Sequence, residues 1–192
     1  MQGGAVSTAK QKTLGVVGCA VGGLEGLRRG LVQPAITQGW QVAVTLTPTA
    51  GRWLRESGEA ARLEALTKFP VRDEPRLPTE GRPHPPVDCF ILAPASANTI
   101  AKLALGIMDN QALTQVGEAL GTLDTPVIIF PRVNAAHARH PRWQGHLDAL
   151  RESGACLIYG PEVWPLYEPR EASPKRELPW AAALTAANAA VS

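Results

Sequence analysis

Groups able to hold charge or donate hydrogen bonds crowd together just after short apolar runs. The densest set is Pro94-Ala95-Ser96-Ala97-Asn98-Thr99, with Asp109 eleven residues beyond Asn98. A strand that ends in Pro94 and opens a helix on so many small, hydroxyl and amide side chains carries more polar groups than a generic α/β protein needs there. A second candidate is Gly18-Cys19-Ala20-Val21-Gly22-Gly23. Its small residues let backbone N–H groups approach a phosphate at a helix N-terminus, although a tight strand-to-helix turn needs the same residues. It is neither a G-x-G-x-x-G fingerprint nor a Walker loop. A third is Thr45-Leu46-Thr47-Pro48-Thr49-Ala50, whose hydroxyls could cap a helix or hold a phosphate.

Those loops need a scaffold that brings strand ends together. Five apolar runs supply it: Leu14 to Val17, Val42 to Leu46, Val87 to Leu92, Val127 to Phe130 and Cys156 to Tyr159. They do not alternate strictly, which suits parallel strands covered on both faces. Helical spacing fills the gaps. Leu24, Leu27 and Leu31 share a face, and Pro34 is expected to end or kink that helix about a turn before Gly39. Asn98 to Leu105, Gln111 to Leu120 and Gln144 to Ser153 follow, the last with Gly154 as its C-terminal cap. The expectation is one α/β domain over 1–192, a three-layer, doubly wound parallel sheet of Rossmann-like or flavodoxin-like type. Residues 1–12 read as a flexible tail. Two proline-rich stretches, 70–86 and 160–179, read as loops, and Trp164 and Tyr167 in the second need a surface to pack on.

Composition narrows the function classes. The chain has 192 residues, 45% hydrophobic and 19% charged, with a net charge of +2. That is the profile of a folded globular protein and lacks the basic field of a nucleic-acid binder. There is no run of 18 apolar residues for a membrane span, and the N-terminus lacks the apolar stretch of a signal peptide. Three cysteines, Cys19, Cys89 and Cys156, are expected as reduced thiols in a cytoplasmic protein, with Cys156 in the core.

The stretch APASANTIAKLALGIMDNQALT resembles the signature of the FMN-binding flavoprotein family of phosphopantothenoylcysteine and peptidyl-cysteine decarboxylases. Pro131-Arg132-Val133-Asn134-Ala135-Ala136-His137 stands where that family has a PxMNxxM motif, and Pro141, Gly154 and Gly160-Pro161 match in order. The resemblance runs from about Leu14 to Pro161. It extends to a less characterised actinobacterial branch with a proline-rich Arg76 to Pro86 loop and a closing helix begun by Pro179-Trp180. It implies an FMN site. Gly18, Cys19 and Thr47 would hold the ribityl phosphate, and Ser96, Ala97, Asn98 and Thr99 would line the isoalloxazine or neighbouring phosphate oxygens. Asp109 would order that loop or touch the flavin. Asn134 would orient a substrate carboxylate or amide. The resemblance also implies a homotrimer or a dodecamer acting on a small-molecule or peptide substrate.

Departures from the family pattern shape the expected chemistry. Cys19 replaces a hydroxyl residue, so phosphate binding would lean on backbone N–H groups. Glu80 stands where the family has its catalytic histidine, leaving His84 or His137 as candidate acid/base. Gly160 to Ser192 has no cysteine to return electrons to a product. The expectation is therefore an oxidative, decarboxylase-like flavoenzyme, and the alternative is an FMN-binding carrier or subunit without decarboxylation. A metal site on His137, His140 and His146 is disfavoured, because Pro141 breaks the helix such a pair would share. A nicotinamide site would lack its glycine fingerprint and the acidic residue after the second strand.

Overall fold

The computed structural model describes residues 11–122, 124–171 and 176–192. Most of the expected 1–12 tail lies outside these, but Gln11 and Lys12 are tied down. Gln11 donates to the Gly39 carbonyl at 3.0 Å and Lys12 to the Val191 carbonyl. Five strands form one parallel sheet in the order β2-β1-β3-β4-β5. They are β1 (Thr13–Gly18), β2 (Gln41–Leu46), β3 (Cys89–Ala95), β4 (Val127–Pro131) and β5 (Cys156–Leu157). All residues of β1, β3 and β4 are buried, which is why these runs read as continuous apolar sequence. Leu14 pairs with Val42 on one side and Cys89 on the other, and Phe90 pairs with Val127. The chain leaves β1 for β2 and returns to β3 across β1. The carboxyl ends of β1 and β3 therefore flank the switch point where such sheets take their ligands.

Each sheet face has its own core. One buries Leu27, Leu31, Leu63, Ile91, Phe130 and Trp180. The other buries Leu92, Ile100, Leu113, Val116, Ile129 and Leu147. On the first face a 3-10 turn (Leu24–Gly26) leads into a π-helical turn (Arg28–Val32) and then α1 (Gln33–Thr37). Pro34 therefore neither ends the helix nor kinks it where expected. It has no N–H to donate one turn back, and the helix adapts ahead of it: the Gln33 N–H reaches the Arg28 carbonyl, five residues away. Helices α2 (Pro48–Glu56) and α3 (Glu59–Thr67) fill the connection from β2. The next segment lies along β2, with the Leu46 N–H donating to Arg72 O at 2.6 Å and the Arg72 N–H donating to Val44 O at 3.1 Å. Buried Asp73 is anchored there by Arg55.

The second face carries α4 (Ala97–Ala104), α5 (Gln111–Thr122) and α7 (Trp143–Glu152), with short α6 (Ala135–Ala138) before the last. Gly154, at φ +86, follows α7 as expected. The last strand has only two residues and lies at the sheet edge, so Cys156 is exposed rather than in the core. Helix α8 (Trp180–Ala190) returns to the first face over β3 and β4. Asn188 fastens it, accepting from the Trp40 indole N–H and donating to Gln38, both at 2.8 Å. No helix among the described residues is long and apolar enough to cross a membrane.

Candidate functional site

Three loops at the carboxyl ends of β1, β2 and β3 are joined by backbone bonds into one surface. The Cys19 N–H donates to Pro94 O and the Thr47 N–H donates to Gly18 O, both at 3.0 Å. A Cβ at Gly18 would stand 2.9 Å from Leu24 Cδ1 and 3.0 Å from Leu46 Cδ2, so glycine lets both leucine tips pack here without shifting. Behind this surface Cys19, Ser96 and Thr99 bond to one another. Cys19 Sγ donates to Thr99 Oγ1 at 3.3 Å, and the Ser96 and Thr99 hydroxyls are 2.9 Å apart. Ser96 Oγ accepts the Thr99 N–H at 3.1 Å, capping α4. Burial pushes the Cys19 thiol pKa up, so this sulfur is a packed, protonated group. Of the residues expected to touch phosphate, Cys19 and Thr99 thus present backbone and a wall, not free side chains.

Other groups face outward. Asn98 is exposed in the first turn of α4, where helix N–H groups lack intrahelical partners. Ala97 beside it leaves room for a ligand. Thr47 occupies the N-cap position of α2 but makes no capping bond, and its hydroxyl has no partner among the described residues. Gly22 has open space around the position of a Cβ. Asp109 sits on the exposed side of the α4–α5 loop. It pairs with Lys102 at 2.5 Å and accepts from Asn110 at 3.0 Å, while Asn110 Oδ1 accepts the Leu113 N–H at the start of α5. The Lys102 ammonium holds the Asp109 carboxyl below its ordinary pKa. Its visible role is to order that loop.

Asn134 follows β4 and caps α6, its Oδ1 accepting the His137 N–H at 2.9 Å. Capping fixes the amide so that its NH2 faces away from the helix, available to a carbonyl or carboxylate. The candidate acid/base residues are not gathered beside it. His137 is exposed at the end of α6. His84 Nε2 lies 2.8 Å from Pro70 O and therefore carries the proton, and the ring meets Phe69 edge-on at 6.3 Å. Burial, with Arg72 nearby, holds the His84 imidazole below its usual pKa. His84 lines a cleft of about 680 Å³ between the proline-rich segment and α5, with Arg72, Arg82, Phe90, Gln115 and Glu118. His140 is engaged locally, its Nδ1 accepting the Arg142 N–H at 3.2 Å.

One residue escapes the motif reading. Arg132 stands directly after β4, and its guanidinium packs over the rings of Trp164 and Tyr167. Tyr167 O also accepts the Ala135 N–H at 2.9 Å, so the late proline-rich loop closes onto the end of β4. An arginine at a strand end is a visible signal, but the two rings that give it a role lie more than thirty residues further along the chain.

Comparison with known proteins places this arrangement. A cysteine/cysteine sulfinic acid decarboxylase from an unknown prokaryote is 36% identical over 102 residues, which cover 50% of this chain and 27% of that protein. A probable phosphopantothenoylcysteine decarboxylase of Streptococcus mutans is 33% identical over 122 residues, 60% of this chain and 65% of that one. The chain thus spans less than two thirds of the length of either relative. Among solved structures, the FMN-dependent cysteine decarboxylase TvaF from thioviridamide biosynthesis superposes with a TM-score of 0.68 at 24% identity. The match covers 94% of this chain and 98% of TvaF. The FMN-dependent cysteine decarboxylase SpaF gives 0.66 at 24% identity, over 95% and 98%. These superpositions establish the shared flavodoxin-like fold. The Flavoprotein family matches residues 8–178, and the chain belongs to that family.

Proposed function

We propose that this protein binds FMN at the carboxyl ends of β1, β2 and β3 and oxidatively decarboxylates a cysteine-bearing substrate. The observation that carries the reading is the joined surface of Gly18, Thr47 and Ser96 to Asn98. There a free hydroxyl, an exposed amide and the first turn of α4 converge on space kept open by small residues. These groups fit FMN: Thr47 and the backbone of the β1 loop suit its phosphate, and Asn98 suits a polar edge of the ring. When bound, FMN supplies a two-electron acceptor. Oxidation of the cysteine C–S–H to C=S, with loss of two electrons and two protons, places the carboxylate β to a thiocarbonyl. The electron pair left by departing CO2 is then delocalised onto sulfur. Asn134, its amide fixed by the α6 cap, holds the carboxylate without adding charge to it.

The relatives named for cysteine and phosphopantothenoylcysteine decarboxylation support the substrate class. A homotrimer or larger homo-oligomer is part of the same proposal. Leu105, Ile107 and Met108 support it, all exposed on the α4–α5 loop next to Asp109. A second reading, FMN binding without decarboxylation, is favoured by one observation: His84 Nε2 already donates to Pro70 O.

The test starts from the visible spectrum of the purified protein and the mass of any released cofactor. Bleaching by a C-terminal cysteine peptide without oxygen, with release of CO2, supports decarboxylation. FMN without bleaching by any cysteine compound selects the second reading. Asn98→Asp replaces a donor with a negative charge and should weaken FMN retention about tenfold or more, equivalent to about 1.4 kcal/mol. Full FMN occupancy in that variant would overturn the placement.

A further inference from the structure

Phe130 lies in the core of one sheet face and Val133 in the core of the other, and Arg132, directly after β4, reaches rings that rest on the Phe130 side. The Arg132 guanidinium carbon lies 4.7 Å from the Trp164 ring centre and 4.8 Å from that of Tyr167. Its Nη1 donates to the Tyr167 hydroxyl at 2.5 Å. Trp164 is buried and braced edge-on against Phe130 at 6.0 Å, so this aromatic clamp rests on the core. A second cation joins it: the Arg176 guanidinium carbon is 4.4 Å from the Trp164 ring centre, and Nη2 donates to Pro165 O at 3.0 Å.

Charge around this cluster is unbalanced. Among the described residues neither Arg132 nor Arg176 has a carboxylate within ion-pair distance, and Glu168, close in sequence, is already paired with Arg139 at 2.5 Å. Among the described residues, the buried Arg132 Nε and Trp164 Nε1 have no hydrogen-bond partner. A ring can stabilise one guanidinium, but it supplies no acceptor and does not offset repulsion from a second. Buried donors and unpaired cations are costly unless an anion completes them.

We infer that Arg132, clamped by Trp164 and Tyr167 and seconded by Arg176, is the specificity-determining residue for an anionic group of the substrate, a carboxylate or phosphate distinct from the carboxylate lost. The inference rests on the reading of this strand end as the substrate site. A cation gripping the departing carboxylate would stabilise the ground state and oppose formation of neutral CO2. The neutral amide of Asn134 suits that group, whereas Arg132, two residues before it, suits a second charge that persists through the reaction. The site therefore selects cysteine compounds that are at least dianionic.

Binding of inorganic phosphate and of succinate to the purified protein, followed by calorimetry, tests the anion site without turnover. Arg132→Gln should weaken binding about tenfold or more, and Arg176→Gln, an exposed change that spares the core, should weaken it less. Tighter binding of phosphate than of succinate assigns a phosphate group, and the reverse a carboxylate. In turnover, the KM preference for a cysteine compound with a remote anion over its neutral amide analogue should collapse in Arg132→Gln. Titrations and KM preferences that are the same in wild type, Arg132→Gln and Arg176→Gln overturn the inference. The two readings fail separately. Protein that holds FMN but shows no Arg132-dependent anion binding refutes the anion site alone. Colourless protein that still binds phosphate through Arg132 refutes the flavin reading alone.

Discussion

His84 shows how a residue suited to proton transfer is taken up by structure. Its Nε2–H closes the proline-rich segment onto Pro70 O, and burial with Arg72 nearby disfavours the imidazolium. The folded-state pKa is thus lower than that of an unfolded histidine, about 6.5. As pH falls, the unfolded chain takes up this proton first. The His84 contribution to stability is complete above about pH 6.5 and is lost as pH falls from there toward the lower folded value. A series of urea midpoints against pH should fall through that window, and His84→Gln should flatten it. A profile unchanged by the substitution would show that the His84 imidazole is not buried in solution. Cys19 behaves alike: its position in the motif suggested a phosphate ligand, yet burial and its bond to Thr99 make it part of the wall. Sequence shows which residues could do chemistry, but not which are already engaged.

At the scale of elements, the π-helical turn Arg28–Val32 and helix α8 depend on each other. Gly30 has no side chain because the Trp180 indole occupies that space: a Cβ would stand 2.1 Å from Trp180 Cδ1 and 2.3 Å from Nε1. Alanine is a better helix former than glycine by about 1 kcal/mol. Overpacking a close contact costs about 1–3 kcal/mol. At 2.1 Å from a buried ring the second effect wins, so Gly30→Ala should destabilise by about 1 kcal/mol net, read from urea denaturation. A stabilised variant would mean that α8 does not dock there. The leucine spacing of this region was legible as a helix. The turn ahead of Pro34 was not, because it depends on packing with a helix about 150 residues later.

For the molecule as a whole, the α4–α5 loop gathers three of the exposed large apolar side chains found among the described residues. Leu105, Ile107 and Met108 are 65%, 43% and 46% exposed, on a loop held in shape by the Lys102–Asp109 pair. Three large apolar side chains in sequence make a patch that a partner surface would cover. Leu105→Asp with Ile107→Asp should therefore lower the mass measured by light scattering from oligomer to monomer. A wild-type protein that is already monomeric would refute the expected assembly.

The alternation of strands and helices, the parallel sheet and the PASANT loop were all legible in the chain itself. Strands buried on both faces must be continuously apolar, and a helix opening needs small and hydroxyl residues wherever it lies. Pairings between residues distant in sequence set the rest. Cys156 came to the surface because β5 is a two-residue edge strand. His84 was turned to Pro70, and Arg132 to two rings more than thirty residues away. Local sequence determines periodicity and turn chemistry. Whether a given polar atom ends up engaged or free depends on which distant segment packs against it, and that contact leaves no local pattern to read.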